Sequence, residues 1–205
     1  PVTELLEVVR ASAKGGASVK RSDQSMPLEG LVFAAPIPKP IRNLFCVGKN
    51  YHEHAKEFAA SGYDSTAKNS TDAVPDFPII FSKVPECVIA HEDDIRYPVG
   101  VTESLDYEAE LAVIIGKGGI GISKADAMDH VWGYTIINDV TARDLQAKHK
   151  QWLLGKSIDT FCPIGPWIET ELDPDDLALT CTVNGELRQA TSTSHMERRA
   201  HEIVA

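Results

Sequence analysis

The stretch Leu105-Asp-Tyr-Glu-Ala-Glu-Leu-Ala-Val-Ile-Ile115 decides how the rest of this chain is interpreted. From Leu111 onward it is apolar and β-branched, and it runs into the glycine turn Gly116-Lys-Gly-Gly119. This pattern predicts a strand that enters a core and ends at the turn. Glu108 and Glu110 stand at its open end. Because side chains alternate faces along a strand, both carboxylates point the same way, with Cα atoms roughly 7 Å apart.

Two carboxylates at this spacing repel each other. Partial burial would raise their pKa values or require a compensating cation, and a divalent ion with oxygen ligands is the simplest compensation. The alternative is a solvated strand face. Asp139, which follows the apolar run from Val131 to Asn138, could supply a third oxygen ligand. It could also cap a helix within residues 140–149, and the two roles are compatible.

Composition limits the class of protein. A chain of 205 residues, 43% of them hydrophobic, can bury one core and carry a small appendage. A net charge of −10 and a pI near 5.1 argue against nucleic-acid or anionic-membrane binding, since no basic stripe is present. The four cysteines form no Cys-x-x-Cys pair and the N-terminus lacks a signal peptide, so we expect a cytoplasmic protein. No apolar run approaches the ~20 residues that span a bilayer.

The first part of the chain is predicted to be a separate small unit. Residues Val2 to Ala13 have helical spacing, and Leu31 to Phe33 are predicted to form a short strand. The stiff segment Pro36-Ile-Pro-Lys-Pro40 follows. We therefore expect an N-terminal domain or arm over residues 1–40 and a main domain over residues 41–205.

The main domain is predicted to be β-rich with short helices. The strongest turn signal is Asn184-Gly185, which predicts a hairpin over residues 179–189. Further strands are expected at residues 41–47, 77–83, 87–90 and 131–139, and short helices at 52–60 and 124–130. The fold class is therefore a mixed, β-rich α+β protein.

Two other side-chain patterns suggest catalysis. His54 and Glu57 lie three residues apart on the helix predicted at 52–60, so they share a face. A carboxylate that accepts a hydrogen bond from one imidazole nitrogen leaves the other nitrogen free to take a proton from water. The alternative is a surface ion pair, since His52 and Glu53 stand beside them. Lys156 lies in an apolar stretch between glycines, so it is expected to be partly buried beside an anion. Alternatively, it could be a surface lysine with only its stem covered.

Four blocks of sequence resemble successive signatures of the fumarylacetoacetate hydrolase family. In order they are Gly48-Lys-Asn-Tyr-His-Glu-His-Ala-Lys-Glu57, Leu105-Asp-Tyr-Glu-Ala-Glu-Leu111, Asn138-Asp-Val-Thr-Ala-Arg-Asp144 and Gly155-Lys-Ser-Ile-Asp-Thr-Phe-Cys-Pro-Ile-Gly165. The order and spacing match from about Ile41 to Met196. The resemblance extends to the acylpyruvase and 2-hydroxyhepta-2,4-diene-1,7-dioate isomerase branch.

The resemblance implies a β-sandwich roll with short peripheral helices, a homodimer, and a Mg²⁺ or Mn²⁺ ion that Ca²⁺ could replace in crystals. It implies metal ligands at Glu108, Glu110 and Asp139, catalytic groups at His54, Glu57 and Lys156, and substrate-binding groups at Tyr51, Gln146 and Lys83. Lys49 stands where arginine is common in the family, which keeps the charge but loses the planar fork. Family members usually continue well past the segment Thr193-Ser-His-Met196, so we expect the C-terminal part of the catalytic domain to be incomplete.

The chemistry implied by this resemblance is enolate formation from a 1,3-dicarbonyl or 2-oxo acid beside a divalent cation. Our first expectation is hydrolysis of a C–C bond in an acylpyruvate, such as fumarylpyruvate or acetylpyruvate. The second is isomerisation or decarboxylation of a related 2-oxo or 2-hydroxy diacid in aromatic catabolism. The third is a catalytically silent scaffold stabilised by the metal.

Overall fold

The computed structural model describes residues 27–64 and 75–205, and in these ranges it is rich in short strands. The strands are β1 (Leu44–Gly48), β2 (Ile79–Lys83), β3 (Val88–Ile89), β4 (Leu105–Asp106), β5 (Ala109–Ile115), β6 (Val131–Asn138), β7 (Thr141–Ala142), β8 (Cys162–Glu169), β9 (Ala178–Val183) and β10 (Glu186–Ser192). The helices are α1 (His52–Ala60), α2 (Arg143–His149), α3 (Leu153–Lys156) and α4 (Ala200–Val204), with 3₁₀ turns at Pro85–Cys87, Ala127–His130, Pro174–Asp176 and Thr193–His195. The β-rich α+β class is confirmed.

The largest sheet in the described part has four strands in the order β3-β8-β6-β5. β3 runs parallel to β8, whereas the β8–β6 and β6–β5 pairs are antiparallel. β1 pairs with β2, β4 with β7, and β9 with β10. The β9–β10 hairpin turns at Asn184 and Gly185, which adopt φ values of 54° and 79°. Positive φ at both central residues is what a two-residue hairpin turn requires, so the predicted hairpin is present.

The strand over residues 105–115 and its partner are both interrupted, and the two breaks face each other. Tyr107 and Glu108 separate β4 from β5, while Asp139 and Val140 separate β6 from β7. β4 pairs with β7 and β5 with β6, so the breaks lie side by side. The Asp139 amide donates to the Glu108 carbonyl at 2.8 Å, and the Glu108 amide donates to the Asn138 side chain at 3.0 Å. The irregular backbone thus stays hydrogen-bonded and turns two carboxylates inward.

Small apolar clusters flank these breaks. Cys87 and Cys162 pack with Ile137 on one side, and all four cysteines are free thiols. Phe161 packs with Val140 and Ala142 on the other side. Because Ile137 and Val140 bracket Asp139 in sequence, packing on both sides fixes the backbone that carries this carboxylate.

Several predictions outside the sheets need correction or remain open. Leu31 to Phe33 do not form a strand; instead the Phe33 ring lies 6.1 Å from Trp167 of β8, so packing against the sheet replaces strand pairing. Asp139 does not cap a helix, since α2 has Ala142 at its N-cap position. The helix predicted at 124–130 is only the 3₁₀ turn. The helix predicted at residues 2–13 lies outside the described residues, and the boundary at residue 40 stays a prediction.

Candidate metal centre

Three carboxylates converge at the facing breaks. One oxygen each from Glu108, Glu110 and Asp139 can be chosen so that all three lie within 4.8 Å of one another. Glu108 and Asp139 are buried, and Asp139 has no exposed surface. Glu110 lies on β5 and Glu108 just before it, so the i, i+2 spacing does bring both carboxylates to one surface.

Glu108 has basic side chains on several sides. Arg143 Nη2 donates to Oε1 at 2.6 Å, Lys156 donates to Oε2, and His54 Nε2 lies 3.4 Å from Oε1. Burial opposes ionisation of Glu108, but Lys156, His54 and Arg143 outweigh it and hold its pKa well below the usual range. Glu108 is therefore ionised at neutral pH.

Asp139 lies between two buried lysines. Lys83 Nζ donates to Oδ1 at 2.6 Å, and Lys156 Nζ donates to Oδ2 at 2.7 Å. Burial alone would lower the pKa of Lys156, yet Asp139, Glu108 and Glu110 together raise it above its usual value. Lys156 is thus a permanent cation that bridges two carboxylates, and the prediction of a buried lysine beside an anion is correct.

Glu110 differs from the other two carboxylates because its side chain makes no hydrogen bond or ion pair to any residue in the described ranges. Burial, followed by repulsion from Asp139 and Glu108, raises the pKa of Glu110 to about 8. The nearby lysines act in the opposite direction without cancelling this effect. The third carboxylate of the triad therefore lacks a counter-ion.

This arrangement fits a divalent cation. Hard cations such as Mg²⁺ take carboxylate oxygens as ligands, and a double positive charge beside Glu110 would remove the repulsion that raises its pKa. The buried acidic triad can therefore hold a divalent metal ion through Glu108, Glu110 and Asp139.

His54 faces this triad from α1. Its side chain is 39% exposed, with Nε2 turned toward Glu108. Its ring stacks on Phe58 at a centroid distance of 6.4 Å and an interplanar angle of 18°. The imidazole is therefore oriented by Phe58 and Glu108, and it remains open to solvent.

Glu57 does not contact His54. Glu57 is exposed, and its side chain makes no hydrogen bond or ion pair with any residue in the described parts of the chain. The two residues share a helix as predicted, but the attraction of His54 to Glu108 turns the imidazole inward while Glu57 points to solvent. The predicted hydrogen bond within the pair is absent, and a catalytic role for Glu57 stays a prediction.

Two residues predicted to bind substrate, Lys83 and Gln146, are buried and hydrogen-bonded to other residues of the site. The Lys83 side chain has no exposed surface, and its ammonium donates to Asp139, to the Val140 carbonyl at 3.1 Å and to the Lys156 carbonyl. All three donors of Lys83 are engaged, so none is left for a substrate. Gln146 is 1% exposed and accepts a hydrogen bond from Arg143 at 3.1 Å. In this structure both residues support the site from within.

Tyr51 and Arg143 complete the surroundings. Tyr51, half-buried before α1, has its pKa raised to about 12 by burial and by Glu110. Arg143 also donates to Asp106 of β4 at 2.8 Å, so it links this strand to the triad. No role is predicted for Arg143 from the sequence, where its only signal is its place in the Asn138–Asp144 block.

Comparison with known proteins places this site in a family. The family described as fumarylacetoacetate (FAA) hydrolase, C-terminal, matches residues 43–205. The curated relative oxaloacetate tautomerase YisK of Bacillus subtilis (strain 168) is 49% identical over 173 residues, which cover 83% of this chain and 54% of the relative. Oxaloacetate tautomerase fahd2, mitochondrial, of Xenopus laevis is 39% identical over 208 residues, covering 98% of this chain and 61% of the relative. The chain thus spans little more than half the length of these relatives.

Solved structures agree with this assignment. A fumarylacetoacetate hydrolase from psychrophilic Exiguobacterium antarcticum superposes with a TM-score of 0.80 at 41% identity, covering 98% of this chain and 68% of that one. A 2-hydroxyhepta-2,4-diene-1,7-dioate isomerase from Mycobacterium marinum gives 0.74 at 37% identity, covering 90% and 64%. No helix among the described residues is long and apolar enough to cross a membrane.

These relatives correct one expectation and confirm another. Our first expectation, a C–C hydrolase for acylpyruvates, is wrong, because the curated relatives are named oxaloacetate tautomerases and similar structures include isomerases. The isomerase alternative fits better. The family match over residues 43–205, together with the identities above, shows that the chain belongs to the fumarylacetoacetate hydrolase family.

Proposed function

We propose that this chain carries the active site of a metal-dependent tautomerase or isomerase for a 2-oxo dicarboxylic acid, with oxaloacetate as the first candidate. One observation carries the proposal: a buried carboxylate triad with an uncompensated Glu110 lies beside the half-exposed imidazole of His54. The names of the curated relatives supply the substrate class.

The proposed cofactor is Mg²⁺ or Mn²⁺, because the triad offers only oxygen ligands, which both ions accept. When bound, the ion would supply electrostatic stabilisation for the negative charge that develops on the substrate oxygens. Glu108, Glu110 and Asp139 would hold it. Lys156, which bridges Glu108 and Asp139, keeps those two ligands in place.

Tautomerisation of an enol to its keto form moves one proton from the oxygen on C2 to C3, with no net gain or loss. A group that can both accept and donate a proton near neutral pH suits this exchange, and histidine is that group. His54 is the exposed imidazole at the triad, so we assign it the proton transfer. Oε1 of Glu108 lies 3.4 Å from Nε2 of this imidazole and orients the ring.

Other residues around the triad do not move protons in this scheme. The raised pKa of Tyr51 keeps its phenol protonated, so it can donate a hydrogen bond to a substrate carboxylate. The raised pKa of Lys156 excludes it as a base at neutral pH. Tyr51 therefore serves binding, and Lys156 serves the geometry of the ligands.

Stopped-flow ultraviolet absorbance tests the proposal, because the C=C bond of enol-oxaloacetate is conjugated with a carboxyl group and the keto form has no such bond. Wild-type protein with Mg²⁺ should accelerate the absorbance decay. Asp139→Asn should lose roughly 10² or more of this acceleration. Asp129→Asn, at an exposed carboxylate outside the triad, is the matched control and should behave as wild type. Equal decay rates with wild type and Asp139→Asn would refute the proposal.

A further inference from the structure

The position of His54 depends on a closed set of contacts around Phe58. The Phe58 ring stacks on His54, and the guanidinium carbon of Arg143 lies 5.4 Å from the centre of the same ring. Arg143 and His54 both reach Oε1 of Glu108, at 2.6 Å and 3.4 Å. Phe58, His54, Glu108 and Arg143 therefore form a ring of four contacts, in which each residue limits the position of its neighbours.

A buried ion pair joins the two segments that flank α1. Lys49 precedes the helix by three residues and Asp64 follows it by four. Their side chains form an ion pair and are only 3% and 2% exposed. The Lys49 ammonium also lies 5.8 Å from the centre of the Phe58 ring. Removing one partner of a buried pair leaves the other charge uncompensated, which is strongly destabilising.

The helix itself is short and has weak internal support. It is nine residues long, its N-cap Tyr51 makes no side-chain capping bond, and only Ala55 and Phe58 are buried. Helices of this length are marginal without tertiary packing. Phe58 is also packed edge-on against Trp152 at 5.9 Å. Hydrogen bonds of Asn50 with Glu197 and Arg198 hold the chain just before α1. Phe58 packs on the same face of the helix as His54, and Lys49 of the ion pair lies against the Phe58 ring.

We propose that Phe58 and the Lys49–Asp64 ion pair are positioning residues that hold the His54 imidazole against Glu108. The role of His54 in proton transfer rests on the proposed function, whereas its position does not. Neither Phe58 nor Asp64 offers a ligand to the triad, so their loss should move the imidazole while leaving the cation site intact.

Two variants test the proposal on the whole chain. Asp64→Asn keeps the shape and removes the ion pair, and Phe58→Leu keeps the apolar character and removes the ring. Lys56→Gln, on the exposed face of the same helix, is the matched control. The measurements are amide hydrogen exchange over residues 52–60, the ring-proton chemical shifts of His54, Mg²⁺ affinity by calorimetry, and kcat and KM for enol-oxaloacetate.

We expect amide exchange in α1 to become at least about tenfold faster in Asp64→Asn and Phe58→Leu, with exchange in β5 and β6 unchanged. The His54 shifts should move, kcat should fall roughly ten- to hundredfold, and KM and Mg²⁺ affinity should stay within about twofold. Unchanged amide exchange and unchanged His54 shifts in Asp64→Asn would overturn the proposal. A loss of Mg²⁺ affinity as large as the loss of kcat would also overturn it. If wild type shows no turnover, the proposed function fails, yet exchange and His54 shifts still decide this proposal.

Discussion

Metal binding should release a proton from Glu110. With a pKa of about 8 in the metal-free protein, this carboxyl is about 90% protonated at pH 7, and a cation must displace that proton to use both oxygens. We expect release of about 0.9 proton per Mg²⁺ at pH 7. The affinity should rise about tenfold per pH unit from pH 5 to 7 and level off above pH 8.

The same shift predicts how the stability of the metal-free protein depends on pH. Between pH 4.5 and 8 the folded state binds more protons at Glu110 than the unfolded chain does, so the free energy of unfolding should fall as pH rises. The raised pKa of Glu110 accounts for a fall of at most about 5 kcal/mol in the free energy of unfolding. Saturating Mg²⁺ should remove this fall, since the bound cation neutralises the carboxylate. Urea unfolding at several pH values, with and without Mg²⁺, measures both effects.

Calorimetry in buffers of different ionisation enthalpy counts the released protons directly. Glu110→Gln should abolish the release and weaken Mg²⁺ binding, because the amide cannot ionise. The His54→Ala variant should still release the proton when Mg²⁺ binds. This result would show that the proton comes from Glu110 and not from the neighbouring imidazole. Proton release near zero in wild type at pH 7, with an affinity independent of pH from 5.5 to 7.5, would refute the assignment of Glu110.

Three further predictions follow from the geometry. His54→Ala should lower kcat by about 10²–10⁴-fold, whereas Glu57→Gln should change kcat little. Because the two side chains do not touch, kcat of the double variant should show the product of both effects. Strong non-additivity of the two effects on kcat would contradict this. Gly155→Ala should lower the free energy of unfolding by about 1–3 kcal/mol in urea titrations, since its methyl group would lie within 2.8 Å of backbone atoms of α2 and β7; unchanged stability would show that α3 can shift. The proposed homodimer should appear in light scattering and weaken in Phe45→Ser, because Phe45 is 71% exposed on β1; a monomeric wild type would count against it.

Local signals in the sequence predict the elements that local physics controls. The bounds of α1, His52–Ala60, match the predicted helix, and Asn184-Gly185 correctly predicts the late hairpin. The convergence of Glu108 and Glu110 also follows from alternation along a strand. In each case the deciding interactions lie within a few residues of one another.

Long-range contacts account for what the sequence did not reveal. The facing breaks at Glu108 and Asp139 depend on pairing between residues some thirty positions apart, which no periodicity encodes. The partner of His54 is Glu108 rather than Glu57 for the same reason. The sequence around Lys83 indicates only the end of a strand. The tertiary fold is what buries the Lys83 ammonium beside Asp139.

Proton NMR of oxaloacetate in D₂O with Mg²⁺ tests the central claim most directly, because one spectrum separates the competing reactions. Tautomerisation exchanges the C3 protons for deuterium without consuming the keto acid, decarboxylation produces a pyruvate methyl signal, and C–C hydrolysis produces acetate. With Asp139→Asn protein as the background, we predict accelerated loss of the C3 signal in wild type, with neither pyruvate nor acetate above that background. Enzyme-dependent acetate or pyruvate, or C3 exchange no faster than with Asp139→Asn, would contradict it.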